Sequence, residues 1–395
     1  MSQRPINRSA DLKKLRDEGY DLEVRSGCLL VKDVPYVNSG KVVGRGILVI
    51  KLVLADDQTG RPDTHVAYFA GDHPCNEDGS EIAKIKHGSN AHSLAEGVPV
   101  NHSFSAKPKP ADSYPDYYAQ VTTYVSIISG PAQRIDPTVT AKTFPVIEPE
   151  NDSDEPFNYA DTASSRAEIV GVTKKMALRK IAILGLGGTG SYVLDLVAKT
   201  PAKEIHLYDG DTFYQHNAFR SPGAPSGEEL RARQPKATYF KNLYGKMHRG
   251  IVDHPIYLDA SNVEELRGMD FVFICLDKGS PKKLIVEKLE EFNAPFIDVG
   301  MGIQLSENSL GGIVRVTTST AQKRDNFRSR VSFEDTPGDD DYNRNIQIAE
   351  LNALNAALAV IRYKKIFGFY RDLKSEHQTQ FSIDTNLLLN EDRPQ

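Results

Sequence analysis

The sequence predicts an α/β protein: a doubly wound, mostly parallel sheet preceded by a smaller, mostly β domain. Three observations carry this. A glycine-rich turn, Gly185-Leu186-Gly187-Gly188-Thr189-Gly190, stands between an apolar strand and a helix-like segment. After residue 180, strand-like and helix-like segments alternate, the pattern of crossover units in a parallel sheet. Before residue 146 the chain holds runs of branched and aromatic residues separated by polar, glycine- and proline-bearing stretches, which read as strands and long loops.

Composition bounds the function. A chain of 395 residues is too long for one ordinary core, so two domains are expected. With 48 basic against 53 acidic residues the net charge is −5, which gives no footprint for nucleic acid. Three cysteines without paired spacing point to a reducing compartment, and the lack of any CxxC pair excludes a four-thiolate structural zinc. The polar N-terminal stretch MSQRPINRSADLKKLRDEGY has no apolar core of a signal peptide, and no apolar run reaches membrane-spanning length. The expected location is the cytoplasm, with no membrane partner.

In chain order, residues 1–20 read as a short amphipathic helix bearing Leu12 and Leu15. Strands are expected over 21–25, 28–31, 44–54, 65–69 and 118–128, the last from Tyr-Ala-Gln-Val-Thr-Thr-Tyr-Val-Ser-Ile-Ile. Residues 1–145 are expected to form the β domain, with no catalytic signature. Its His65, His73, Cys75, His87, His92 and His102 match no common metal-ligand spacing, so structural roles are expected. An exposed Cys75 beside His73, its thiol pKa lowered, is the competing reading. Residues 146–165 are acidic and proline-interrupted, a linker composition, and 166–395 form the second domain. There, strands are expected over 181–186, 204–208, 254–258, 271–276 and 295–299, and helices over 191–200, 226–248, 261–267 and 280–292. A strand at 311–317, a polar irregular stretch at 319–342, a long helix at 346–369 and a strand at 380–383 complete the chain.

The β-α-β unit at 180–208 is Rossmann-like. Gly185, Gly187, Gly188 and Gly190 let backbone N–H groups approach a phosphate, and the following helix N-terminus favours negative charge. Asp209 ends the second strand, where a carboxylate can accept ribose hydroxyls. A glycine turn alone equally suits an NAD-dependent oxidoreductase. The set that follows breaks the tie: Asp209-Gly210-Asp211, then Asn217, Arg220, Gln234-Pro235-Lys236, and Asp277 after the fourth strand. Arg220 and Lys236 are cations suited to the β- and γ-phosphates of ATP. Asp277, at the carboxyl end of a parallel strand, is suited to Mg²⁺, and Asn217 to a phosphate or ribose oxygen.

These residues resemble the ThiF family, the ubiquitin-activating-like adenylyltransferases. The shared pattern is Gly-x-Gly-Gly-x-Gly, Asp-x-Asp, Asn-x-x-Arg, a helix lysine after Pro, and an Asp after the fourth strand. The resemblance covers about residues 165–370. It implies ATP and Mg²⁺ as cofactors, Asp209 at the ribose, Asn217, Arg220 and Lys236 at the triphosphate, and Asp277 at the metal. It also implies a homodimer, for which the helix at 346–369 reads equally as a contact or as a core helix packed on its own sheet, and an arginine upstream of the first strand, best matched by Arg166. The activity implied is adenylation of the C-terminal carboxylate of a ubiquitin-like protein, with release of pyrophosphate.

Two departures matter. The family's paired zinc cysteines are missing, and no cysteine follows Cys275, so the loop at 317–342 offers no thioester nucleophile. Cys275 itself sits in an apolar strand and reads as buried and inert. The adenylate therefore stays, passes directly to a partner, or passes to a hydroxyl, for which Thr317, Thr318, Ser319 and Thr320 are the candidates where the strand opens into the loop. Asp298-Val299-Gly300-Met301-Gly302 is expected to flank the channel for the incoming tail. The two-part arrangement, a β-rich leader ahead of a cysteine-poor adenylation domain, looks like ThiF-family members of bacterial operons that also encode ubiquitin-like, conjugating-like and metallopeptidase proteins. The likeness rests on Tyr-Ala-Gln-Val-Thr-Thr-Tyr-Val at 118–125 and Ala-Glu-Leu-Asn-Ala-Leu-Asn-Ala-Ala-Leu at 349–358, and implies that the leader docks a partner. That closer likeness implies a conjugating-like partner and a defence pathway against phage. The alternative is a degenerate scaffold that binds carrier and partner without catalysis.

Overall fold

The computed structural model describes residues 4–90, 92–109, 113–149, 155–277, 279–325, 327–333 and 346–391. Contacts divide them into two compact units, one of residues 4–149 with 161–168, the other of 155–160 with 169–391.

The first unit contains, in order, α1 (Arg4–Arg8), α2 (Ala10–Asp17), β1 (Leu22–Arg25), β2 (Cys28–Val37), β3 (Val43–Lys51), β4 (Leu54–Ala55), β5 (Gln58–Thr59), β6 (Val66–Ala70), β7 (Lys86–Gly88), β8 (His92–Ala95), β9 (Val98–Val100), β10 (His102–Ser105), α3 (Tyr117–Ile135) and α4 (Thr162–Arg166). An antiparallel sheet in the order β1-β2-β3-β6-β10-β7 is its centre. Leu29, Val31, Leu48, Ile50, Phe69 and Phe104 of the sheet bury against Leu12 and Leu15 of α2 and Tyr117, Val121, Tyr124 and Ile128 of α3.

Residues 118–128 are thus helix, not the expected strand. The buried positions, Tyr117, Gln120, Val121, Tyr124, Val125 and Ile128, recur every three or four residues, which is helical spacing. Asp116 caps the first turn by accepting the Ala119 N–H at 2.8 Å. The Thr122 and Thr123 hydroxyls bond back to Tyr118 O and Ala119 O, each at 2.7 Å. Burying each large side chain contributes roughly 1.5–3 kcal/mol, far more than the few tenths per residue that β-branching costs a helix.

The second unit contains α5 (Val170–Thr173), β11 (Lys180–Leu184), α6 (Gly188–Val197), β12 (Glu204–Tyr208), α7 (Gln215–Ala218), α8 (Gly227–Arg231), α9 (Lys236–Tyr244), β13 (Ile251–His254), β14 (Phe271–Ile274), α10 (Gly279–Glu291), β15 (Phe296–Ser306), β16 (Ser309–Ser319), α11 (Phe327–Arg330), α12 (Ala349–Ile366), β17 (Gln378–Ser382) and β18 (Leu387–Glu391). Its eight strands lie in the order β13-β12-β11-β14-β15-β16-β17-β18, parallel from β13 to β15 and antiparallel beyond. One face buries Ile181, Ile183 and Phe273 against Val193 and Leu194 of α6, Phe240 of α9, and Ala356, Ala359, Val360 and Tyr363 of α12. The other buries Ala182, Leu184 and Ile274 against Ile285, Val286 and Leu289 of α10 and Phe327 of α11. This is the doubly wound arrangement expected. Leu351, Leu354 and Leu358 of α12 are only partly buried, and Ile361 is exposed.

Three local expectations are corrected. The helix at 226–248 is two helices, broken where Arg233 takes φ +45° and Pro235 precedes α9. The strand at 254–258 lies instead at Ile251–His254 and stops before Pro255, which has no N–H for the ladder. The helix at 261–267 is one 3₁₀ turn, Val263–Leu266. Part of the expected linker, 150–154, and of the expected loop, 334–342, lies outside the described residues.

Thr123→Pro is expected to cost about 3 kcal/mol or more, because it removes a helical N–H in mid-α3 and clashes with the preceding turn. A chemical-denaturation midpoint equal to wild type would contradict the helix.

Candidate functional site

β11 is the switch point of the parallel sheet: β12 and β13 follow on one side, β14 and β15 on the other. The crevice beyond its carboxyl end is where such sheets take ligands, and the glycine turn closes over it. Gly185 has φ +86°, and a Cβ there would stand 2.7 Å from Cys275 O. A Cβ on Gly190 would stand 1.9 Å from Gly185 O. Only glycine permits both approaches. Gly187, by contrast, faces open space, and α6 begins at Gly188 with its N-terminus at the crevice.

Asp209 follows β12 and is 8 % exposed. Its Oδ2 accepts the Leu186 N–H at 2.6 Å and its Oδ1 the Asp211 N–H at 2.9 Å, so the carboxylate ties β12 to the glycine turn. Burial raises its pKa, opposed by Lys236 and by these two N–H groups. Lys236, at the start of α9, is buried with Nζ 2.6 Å from Asp211 Oδ2 and 3.9 Å from Asp209 Oδ1. Asp211 also accepts the Tyr257 hydroxyl, whose pKa is pushed up to about 12 by that bond.

Asn217 lies in α7, a single turn, and is buried. Its Oδ1 accepts the Tyr214 N–H at 2.8 Å, while its Nδ2 is a buried donor with no partner. Arg220, three residues on and half-buried, likewise has a buried Nε without an acceptor. Asp211, Asn217, Arg220 and Lys236 line one cleft of about 390 Å³ with Gly210, Thr212, Tyr214, His216 and Tyr257. An unpaired buried donor costs about 1–3 kcal/mol, so two in one cleft mark it as built for an acceptor-rich ligand. A polyphosphate fits this donor set.

The remaining expected residues are placed as follows. Asp277 is exposed, three residues beyond β14 at the carboxyl edge, and does not line the cleft. Mg²⁺ commonly takes one or two carboxylates and completes its shell with phosphates and water, so Asp277 fits a ligand of that kind. Arg166 belongs to the first unit, where its guanidinium lies 5.4 Å from the Phe144 ring centroid.

Thr317, Thr318, Ser319 and Thr320 lie where β16 ends and the irregular stretch begins, but their side chains are buried. All four are at most 7 % exposed. Thr317 Oγ1 donates to Gln378 Oε1 at 2.8 Å, and Thr320 Oγ1 is 3.1 Å from His377 Nε2. Antiparallel pairing sets Ser319 opposite Phe296, which pairs with Val272. The run from Thr317 to Thr320 therefore descends toward the amino edge of the parallel strands, with Ser319 about 7 Å below the end of β14. Similarly, the room left by Gly300 is filled from within: a Cβ there would meet Arg315 Nη2 at 2.5 Å. Arg315 and Lys282 both pair with the fully buried Asp298, at 2.8 and 2.9 Å.

Nor is Cys75 an exposed, acidified thiol. It is 1 % exposed, its Sγ donates to His73 O at 3.2 Å, and burial with Glu81 and Asp78 nearby raises its pKa. The His65, His87 and His102 rings bond to Ser105, Ser103 and Ser89. No three His, Cys, Asp or Glu side chains among the described residues gather into a metal site. Also among them, no helix is long and apolar enough to cross a membrane.

Sequence reasoning missed Tyr257, which closes one side of the cleft, and Asn352 of α12, which touches the glycine turn. Asn352 is 0 % exposed; its Oδ1 accepts the Thr189 hydroxyl at 2.8 Å and its Nδ2 donates to Arg220 O at 3.3 Å. The partners of Asn352 and Tyr257 lie far off in the chain, so no local signal marked either residue.

A glycine turn at the switch point of a doubly wound sheet, with a donor-lined cleft beside it, defines a nucleotide-binding domain. Residues 163–381 match the ThiF family, and the chain belongs to that family. Residues 10–162 match a domain of unknown function, DUF6791. No curated protein matches the chain. Among solved structures, E. coli MccB is similar at 17 % identity and TM-score 0.44, over 57 % of this chain and 65 % of that one. PaaA is similar at 17 % identity and TM-score 0.43, over 56 % and 75 %. E. coli MccB with ATP is similar at 18 % identity and TM-score 0.43, over 59 % and 69 %. The chain thus spans 65 % of the length of the first of these.

Burial raises the pKa of Cys28, Cys75 and Cys275, the last also because Asp298 is near. Iodoacetamide at pH 8 is expected to alkylate all three at least tenfold more slowly than a free cysteine; mass spectrometry showing any one modified at the free rate would contradict this.

Burial also holds His248, His254 and His377 below the ordinary imidazole value. The unfolded chain takes up these protons near pH 6.5 while the fold resists them. The stability from the neutral rings is present above about pH 6.5 and is lost as pH falls below it. The thermal midpoint should drop between pH 7 and 5.5; a flat or rising midpoint would refute the assignment.

Proposed function

We propose that the protein uses ATP to adenylate the C-terminal carboxylate of a ubiquitin-like protein, releasing pyrophosphate. The observation that carries this is the cleft in which two buried donors, Asn217 Nδ2 and Arg220 Nε, lack acceptors beside the buried Lys236. Membership of the ThiF family supports the choice of ATP over a nicotinamide cofactor. In this reading Asp209 receives the ribose through the lone pairs its backbone bonds leave free. Asn217, Arg220 and Lys236 hold the phosphates, and Asp277 holds Mg²⁺, which would neutralise phosphate charge. Arg166 adds a further cation, supplied across a homodimer.

The chemistry asks little of general acids or bases. A carboxylate oxygen bonds to the α-phosphorus as the bond from that phosphorus to the β-bridging oxygen breaks. Pyrophosphate leaves with the electron pair, and no proton is transferred. Alignment of two anions and neutralisation of their charge are what the site must supply. With the hydroxyls of Thr317 to Thr320 buried and every thiol inert, the acyl group goes from the adenylate directly to a partner, of the conjugating-like class that the resemblance to bacterial antiphage operons implies. The first unit is proposed to dock it.

Exchange of labelled pyrophosphate into ATP, dependent on a ubiquitin-like protein with a free C-terminus, tests the reading. Arg220→Ala and Asp277→Ala should each lower exchange by roughly 10²–10³-fold. Exchange that persists in both variants would refute the site, and the absence of ATP binding by calorimetry would favour a non-catalytic scaffold.

A further inference from the structure

We infer that Asn352 is a positioning residue that couples the two halves of the phosphate-binding apparatus, the glycine turn and the Arg220 segment. The inference rests on the nucleotide reading above. Arg220 follows α7, a helix of four residues, and such a short element has little intrinsic stability. Locally it is held by bonds within itself, from Arg220 N to Asn217 O and from Ser221 Oγ to Asn217 O. Asn352 reaches it from α12, 132 residues away in sequence, by donating Nδ2 to Arg220 O at 3.3 Å. The same amide accepts the Thr189 hydroxyl at 2.8 Å in the first turn of α6.

The fit is tight on the third side as well. A Cβ on Gly188 would stand 1.9 Å from Asn352 Nδ2, so the amide lies directly on the glycine turn. Next to it, Gly188 N–H donates to Gln347 Oε1 at 3.3 Å. Asn352 is fully buried and a buried amide has a high cost when unpaired. Its short side chain has only two rotatable bonds. It therefore fixes how far the cation of Arg220 stands from the N–H groups at the start of α6, and a triphosphate held by both feels any change in that spacing.

The experiment is a double-mutant cycle on the full chain, reading ATP dissociation constants by calorimetry with Mg²⁺. Asn352→Leu should weaken ATP roughly tenfold. In an Arg220→Ala background the same change should weaken it less than about threefold further, because the group it positions is gone. Equal factors in both backgrounds would mean a general structural role and would overturn the proposal, as would an unaltered constant. Should Asn352→Leu not fold, Thr189→Val removes one of the bonds alone, and it too should weaken ATP several-fold; no effect there overturns the coupling. Failure of the wild-type chain to bind ATP would instead remove the nucleotide reading itself.

Discussion

The carboxylate of Asp209, buried and bonded to the backbone N–H groups of Leu186 and Asp211, is the interaction on which the site depends. It joins the end of β12 to the glycine turn after β11, and Gly185 and Gly190 let that turn close against Cys275 O and against itself. A side chain at either glycine would push the turn outward and break the geometry that aims α6 at the crevice. The burial that raises the Asp209 pKa is the cost of this join. Lys236, itself buried, offsets it electrostatically.

This pairing also sets the charge balance of the cleft. Lys236 stands 2.6 Å from Asp211 and 3.9 Å from Asp209, so its charge is already engaged, and Arg220 also lines the cleft. A polyanionic ligand needs more positive charge than that to be bound with its charge relieved. The helix dipole of α6 supplies part. In the nucleotide reading, Mg²⁺ held by Asp277 would supply more.

What could be read from the sequence, and what could not, divides along the range of the interactions. The glycine turn, Asp209 and the strand-helix alternation are local signals, and the structure follows them closely. The segment at 118–128 misled because its branched and aromatic residues suit a strand, while the three- to four-residue spacing of Tyr117, Val121, Tyr124 and Ile128 could be recognised only once a sheet was there to receive one face. The helix at 226–248 misled because apolar periodicity ran through Pro235, whose effect on the preceding residue is local but easily overruled in a reading by pattern. Asn352 and Tyr257 were invisible for a different reason. Their partners, Arg220 O, Thr189 and Asp211, lie 132, 163 and 46 residues away, and nothing in composition or spacing announces such contacts.

The antiparallel extension of the sheet bears most directly on the fate of an activated acyl group. β16 runs back from the carboxyl edge toward the amino edge, paired along its whole length with β15, so residues that follow one another from Thr317 to Thr320 move steadily away from the crevice. Their hydroxyls are buried and engaged, Thr317 with Gln378 and Thr320 with His377. The imidazole beside Thr320 has its Nδ1 3.0 Å from Ser375 O, which leaves Nε2 to accept from the hydroxyl. That is an arrangement able to polarise an O–H, but it stands toward the amino edge of the parallel strands, away from the crevice in which the proposed reading places the carboxylate. Proximity decides the matter over chemistry: an effective nucleophile must lie within about 3–3.5 Å of the acyl carbon. Among the described residues of this unit, the hydroxyls from Thr317 to Thr320 are buried, which is why the proposed reading hands the acyl group to an acceptor on another molecule.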